Sequence, residues 1–169
     1  MRGLALLAVA LALAPVACSG EEGDGREDEA VVARVADGDT IVLAGGDRVR
    51  LVQIDAPELG EGECYAREAQ RELGRLLTPG TSVRLEADPL LDGVDRFGRL
   101  LRYVHSDGTN VNLALVRRGA ASVWFFEGDR GCYAAELLAA ARAAAAAGLG
   151  LWRVCPAARL DPDRGVETR

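Results

Sequence analysis

The sequence predicts an α+β fold, mainly β: a small five-stranded barrel accompanied by three helices. Three observations carry this reading. Short β-branched or alternating stretches recur five times between Gly- and Asp-rich turns, three other stretches repeat apolar residues at helical spacing, and no internal repeat appears. The first stretch, 31–43 (VVARVADGDTIVL), has β-branched residues on both sides of an Asp-Gly signal for a turn or bulge. Gly45-Gly46-Asp47 then turns the chain into 48–54 (RVRLVQI). Residues 82–88 (SVRLEAD) and 99–105 (RLLRYVH) alternate, Asp107-Gly108 makes a turn, and 121–126 is the fifth candidate strand. The first helix is expected over 65–77, where apolar residues at 65, 69, 73, 76 and 77 form one stripe. A second is expected over 112–118, closed by Gly119, and an alanine-rich third over 133–147, ended by Gly148. Five short strands with interleaved helices suit a barrel of the OB kind.

Composition bounds the rest. The chain has 169 residues, enough for one ordinary domain, and 49% hydrophobic with 27% charged residues excludes global disorder and an integral membrane protein. A single histidine excludes multi-histidine catalytic zinc, and the absence of CxxC excludes zinc ribbons and thioredoxin-type sites. All twenty basic residues are arginine, yet the net charge is −6, which at face value argues against a polyanionic partner. That charge is unevenly spread. Residues 1–18 have the basic start and eleven-residue apolar run of an export signal, too short to span a bilayer, and carry +1. Small residues before Cys18 resemble a bacterial lipobox, so Cys18 is the expected lipidation site, with ordinary signal cleavage as the alternative. Either route implies an exported protein; lipidation adds a membrane anchor. Residues 19–30 hold six acids, one arginine and no large apolar side chain, and are expected to be a disordered tether of charge −5. Residues 159–169 are expected to be a disordered tail of zero charge, leaving −2 for a domain over 31–158.

Three clusters carry chemistry: Asp37-Gly38-Asp39-Thr40, Arg50-Leu-Val-Gln-Ile-Asp55-Ala-Pro-Glu58, and Asp95-Arg96-Phe97-Gly98-Arg99. Singly, the first reads more readily as a turn, the second as a strand running into a loop and the third as a charged hairpin entry. Together they contain what phosphodiester hydrolysis requires. Asp39 and Asp55, from different strands, can meet at a hard cation. Glu58 can hold an attacking water, and Arg50 and Arg99 can grip phosphate oxygens whose charge grows in the transition state. Arg50 and Asp55 are five apart and would face opposite ways on a straight strand, so a bend or strand end is expected near Ile54, before Pro57.

From about Val31 to Trp152 the chain resembles the thermonuclease, or staphylococcal-nuclease-like, family. VADGDT, RLVQIDAPE, CYAREA, DRFGRLLRYV, DGTNVNLALVRRGAA and GLGLW all occur in the family's order. The resemblance implies an OB-fold five-stranded barrel with three helices, and a Ca²⁺-dependent, sugar-nonspecific nuclease that leaves 3′-phosphorylated products. It implies Asp39, Asp55 and the Ala56 carbonyl as Ca²⁺ ligands, Glu58 acting on water, and Arg50 and Arg99 on phosphate. DNA is the expected substrate, with RNA left open, and the protein is expected to be monomeric. Phe97 and Phe125 stand where tyrosines are expected near the nucleotide, and with Arg96 they are the candidate substrate-binding residues; stacking on a base survives the loss of the hydroxyls. Glu127 stands where another tyrosine is expected and would repel phosphate. The loop after Glu58 is shortened and carries Glu61 and Glu63 in place of lysines. In the resembled fold the C-terminal tryptophan packs toward the first helix, which favours a Cys64–Cys155 disulfide over its rival, Cys132–Cys155. His105 reads as a solvated turn residue, Trp152 as a core anchor, and Arg67, Arg71 and Arg75 as a solvated helix face. A non-cleaving nucleic-acid-binding domain and a surface lipoprotein using the barrel for protein contacts are the alternatives; neither explains why every catalytic side chain is present.

Overall fold

A run of β-branched residues broken by one misfit residue lets a strand change neighbours, and the barrel is built on this device. The computed structural model describes residues 28–166 and 168. Strand β1 (Asp28–Val35) pairs antiparallel with β5 (Ser82–Glu86) through residues 28–31. Past an irregularity between Val32 and Arg34 it pairs with β2 (Thr40–Leu43) instead. β2 continues antiparallel to β3 (Arg48–Leu51), and β5 to β6 (Leu100–Ser106). A parallel ladder between β3 and β6, matching Val49 with Leu100 and Leu51 with Arg102, closes five strands into a barrel. Ile41, Val49, Leu51 and Val104 are fully buried within it.

The remaining elements lie around this barrel. Helix α1 (Ala66–Leu76) buries Ala69 and Leu73, followed by Leu77, while Tyr65 and Leu76 flank them half-buried, as the stripe predicts. It begins at Ala66 because Tyr65 adopts φ 72°, outside the helical region. A hairpin to β7 (Thr109–Asn110) leads to α2 (Val111–Arg117), where the Asn110 side chain accepts from the Leu113 N–H. Asn112, fully buried on α2, donates to the Val52 carbonyl and accepts from the Val104 N–H, tying the helix to the barrel. Helix α3 (Ala134–Ala146) is followed by a single turn, α4 (Leu151–Val154). Gly119 and Gly150 touch back to back: a Cβ on Gly150 would lie 2.2 Å from the Gly119 carbonyl oxygen. Cys64 and Cys155 are joined by a disulfide.

Four expectations need correction or delimitation. The signal segment, Cys18 and the tether to residue 27 lie outside the described residues. The expected tether ends earlier than residue 30, because Asp28, Glu29 and Ala30 are laddered to Leu85, Arg84 and Val83. The stretch 121–126 supplies only β8 (Ser122–Val123), which pairs with β4 (Ile54–Asp55) outside the barrel, while 31–43 splits into two barrel strands. The expected disordered tail is instead placed: residues 156–166 fold back over the molecule, and Val166 is buried against Leu151 and Cys155.

Candidate active site

Close backbone approach brings the acidic turn to its partners. The 36–39 turn between β1 and β2 carries Gly38, where a Cβ would lie 2.6 Å from Ala56 Cβ and 2.8 Å from Ala69 Cβ. Only glycine lets Asp37 and Asp39 sit against the Asp55–Ala56 segment and α1. Arg50 and Asp55 reach the same spot because the chain bends between β3 and β4. The bend lies at Gln53 (φ 61°), earlier than the expected break near Ile54. Gln53 is held in this left-handed conformation through its buried amide, which donates to the Asp129 carbonyl and accepts from the Tyr103 hydroxyl.

The centre is a guanidinium between two carboxylates. Arg50 Nη1 lies 2.7 Å from Asp39 Oδ2, and Nη2 lies 2.8 Å from Asp55 Oδ1. Nη1 also donates to the Ile54 carbonyl at 2.8 Å, so the arginine braces the bend that brings Asp55 to it. Asp39 Oδ2 accepts from the Ala56 N–H at 2.9 Å, and its Oδ1 from the Thr40 hydroxyl at 3.1 Å. Asp39 and Arg50 side chains are 3% and 7% exposed, against 19% for Asp55. Glu58 is on the open side of the group, with its backbone N–H donating to the Glu63 carboxylate at 2.8 Å.

Electrostatically this centre is short of positive charge. Burial pushes the Asp39 carboxyl up to about 8, against the pull of Arg50 and with Asp37 and Asp55 adding to the rise. Burial likewise raises Asp55, opposed by Arg50 and by the Val166 N–H. Partial desolvation and the nearby Asp37 raise Glu58. Burial works against the Arg50 charge, but the surrounding carboxylates, Asp39 first, hold its pKa above the ordinary value. One guanidinium therefore faces Asp37, Asp39, Asp55 and Glu58. A hard divalent cation suits such a donor set, with Asp39, Asp55 and the Ala56 carbonyl as protein ligands and water as the remainder. Among the described residues no three Asp, Glu, His or Cys side chains converge as a ready-made cage, so these ligands would leave a water-rich coordination sphere.

Beside the centre opens a cleft of about 310 Å³ that Arg50, Arg99, Arg96, Phe97, Trp124 and Phe126 help to line. Arg99 is on its far rim, its Nε 2.6 Å from Asp95 Oδ2. The Asp95 carboxylate also accepts from the Arg99 and Phe97 N–H groups, which outweigh desolvation and hold its carboxyl below the usual range. Phe97 is 67% exposed, with the guanidinium carbons of Arg96 and Arg99 4.7 and 5.4 Å from its ring centroid.

Phe125 requires a correction. It is fully buried, so it has no face to offer a base. The rings facing the cleft are its neighbours Trp124 and Phe126, packed edge to face with centroids 5.5 Å apart; Phe126 is 58% exposed. Their spacing of two is the sequence signal that could have found them, since extended chain alternates its faces. Trp124 also lies 5.8 Å from the Arg50 guanidinium, joining the aromatic wall to the charged centre. His105, on β6, is not a solvated turn residue, for its Nε2 contacts Glu86 Oε2 on β5 at 2.6 Å. Arg71 and Arg75 pair with Glu68 and Glu72 on the exposed face of α1.

Comparison with known proteins is in keeping with this geometry. Residues 48–154 match the family model described as "Staphylococcal nuclease homologue". The chain is 33% identical over 140 residues to an "Uncharacterized endonuclease" of Haemophilus influenzae, covering 80% of this chain and 70% of that protein. It is 34% identical over 110 residues to the "Thermonuclease" of Staphylococcus intermedius, covering 61% and 64%. With "Endonuclease YhcR" of Bacillus subtilis it shares 35% identity over 113 residues, 59% of this chain but 9% of that much longer protein.

Proposed function

Since the chain belongs to the staphylococcal nuclease homologue family, we propose that it is a Ca²⁺-dependent nuclease. Its reaction is hydrolysis of phosphodiester bonds in DNA, with RNA as the second substrate to test, leaving 3′-phosphorylated products. The observation that carries this reading is the buried Arg50 held between Asp39 and Asp55 at the mouth of an aromatic, arginine-rimmed cleft.

The residues divide the work. Asp39, Asp55 and the Ala56 carbonyl would hold Ca²⁺, which when bound supplies positive charge beside the phosphate and ordered water. Glu58, open to solvent next to this group, accepts a proton from the attacking water. Oxygen attacks phosphorus, the bond to the 5′ oxygen breaks, and the departing 5′ oxygen takes up a proton. Arg50 meets the negative charge that builds on the phosphoryl oxygens from the inner side, and Arg99 from the rim. Phe97, Trp124 and Phe126 offer ring faces to unpaired bases.

Export belongs to the same proposal: the signal segment sends the chain out of the cytoplasm, and acylation of Cys18 would anchor a monomeric enzyme at a membrane surface. Incubation with plasmid and single-stranded DNA, in Ca²⁺ or in EDTA, tests the activity. Cleavage in Ca²⁺ alone is expected; DNA retained but uncut under both conditions would instead identify a binding domain. Mass spectrometry of the exported chain tests acylation.

A further inference from the structure

The Asp55 carboxylate has a second partner far away in sequence. Val166, 111 residues on, donates its backbone N–H to Asp55 Oδ2 at 2.9 Å, while Arg50 engages Oδ1. This part of the chain follows the family match, which stops at 154. Its path is specified at several points. The Cys64–Cys155 disulfide anchors its base. The Phe125 N–H donates to the Pro162 carbonyl at 2.7 Å, Asp161 and Gly165 bridge to one another, and Val166 is buried. At Gly165 (φ 78°) a Cβ would lie 2.7 Å from Asp55 Oδ2 and 3.4 Å from the Trp124 ring. Backbone thus fills the space between a carboxylate of the charged centre and the wall of the cleft, where no side chain would fit.

We propose that residues 156–166 form a strap that positions Asp55 for cation binding, with the Val166 amide as its working group. A ligating carboxylate retains lone pairs for a cation while other groups hydrogen-bond its oxygens, and such supporting bonds fix its rotamer and sharpen affinity. The Val166 amide supplies one such bond to Oδ2 and Arg50 the other to Oδ1. A strap that merely blocked the site would also contact Asp55, so the sign of the effect on cation affinity separates the two roles.

The inference rests on the Ca²⁺ reading above, and its test separates the two. Val166→Pro removes the N–H; Val166→Ala keeps it while trimming the packing. Ca²⁺ binding to both full-length variants and to wild type is measured by calorimetry, together with the Ca²⁺ dependence of cleavage. The expected result for Val166→Pro is roughly tenfold weaker Ca²⁺ binding, and a half-saturating Ca²⁺ concentration raised in proportion. Its rate at saturating Ca²⁺ stays within about twofold of wild type, whereas Val166→Ala binds Ca²⁺ like wild type. Gly165→Ala, pressing on Oδ2, is expected to follow Val166→Pro. Unchanged affinity in Val166→Pro, equal losses in both Val166 variants, or tighter binding in Val166→Pro each overturn the positioning role. Wild-type protein that binds no Ca²⁺ overturns the functional reading itself.

Discussion

The two phosphate-gripping arginines of the proposed mechanism are held in opposite ways. Arg50 is buried and bound by groups from two separate segments: Asp39 in the 36–39 turn, and Ile54 and Asp55 on β4. Arg99 is held within its own hairpin by a carboxylate four residues away. Buried contacts to both segments give Arg50 one conformation at the cost of coupling it to the fold. Local contacts leave Arg99 half-open at the rim, where exchanging Asp95 for a phosphate disturbs little else.

Substitution of the two arginines tests this contrast most directly. Arg50→Ala is expected to cost about 10³-fold in turnover, and also about 3–5 kcal/mol of stability, because two desolvated carboxylates lose their partner. Residue-level reasoning without the fold would assign it only the catalytic loss. Arg99→Ala is expected to lose a comparable ~10²–10³-fold in turnover while stability changes by no more than about 1 kcal/mol, as for other partly exposed pairs. Denaturant melts beside kcat measurements check both; equal stability losses would erase the distinction.

The aromatic side chains repeat the contrast one residue apart. Phe125→Ala should destabilise by about 3–5 kcal/mol, as expected for emptying a core position. Phe126→Ala should leave the melt unchanged and raise KM for single-stranded DNA roughly tenfold, in line with the loss of one stacking surface. A KM effect confined to Phe125→Ala would restore the original assignment.

The charged centre also sets a pH dependence of stability. Burial raises the folded-state pKa of Asp39 from 3.8 to about 8, so the folded state favours the protonated acid. That contribution is complete below the unfolded-state value, declines as pH rises from about 4, and is gone once pH passes about 8. In EDTA, Tm should therefore fall through this window, and Asp39→Asn should flatten the decline. Added Ca²⁺ should flatten it as well, by binding the ionised form. Wild type and Asp39→Asn with the same slope in EDTA would show that Asp39 is ionised throughout.

Much of this was legible in the chain itself. The stripe at 69, 73 and 77 places α1 on the core, and Asn110 and Gly119 bracket α2, because helices answer to local periodicity and end signals. That Asp39, Asp55 and Arg50 belong to one site was also legible as chemistry, from carboxylates and arginine in a recurring order; that Arg50 is paired to both carboxylates was not. Nor was the geometry that makes them a centre. A bend at Gln53 depends on hydrogen bonds to Tyr103 and Asp129, dozens of residues away. The face chosen by Phe125 over Phe126 depends on where β8 leaves its short ladder with β4.

The sequence alone determined the class of fold, the helices and the chemical inventory, since these follow from spacing and residue type. Tertiary structure decided which strand segments close the barrel, which aromatic rings meet the cleft, and that residues 156–166 fold back onto Asp55. Each of those depends on contacts between distant segments, and a stretch as polar as 159–166 carries no local pattern that reveals its partner. Val166 reaches Asp55 through a backbone N–H, and every residue except proline has one to offer.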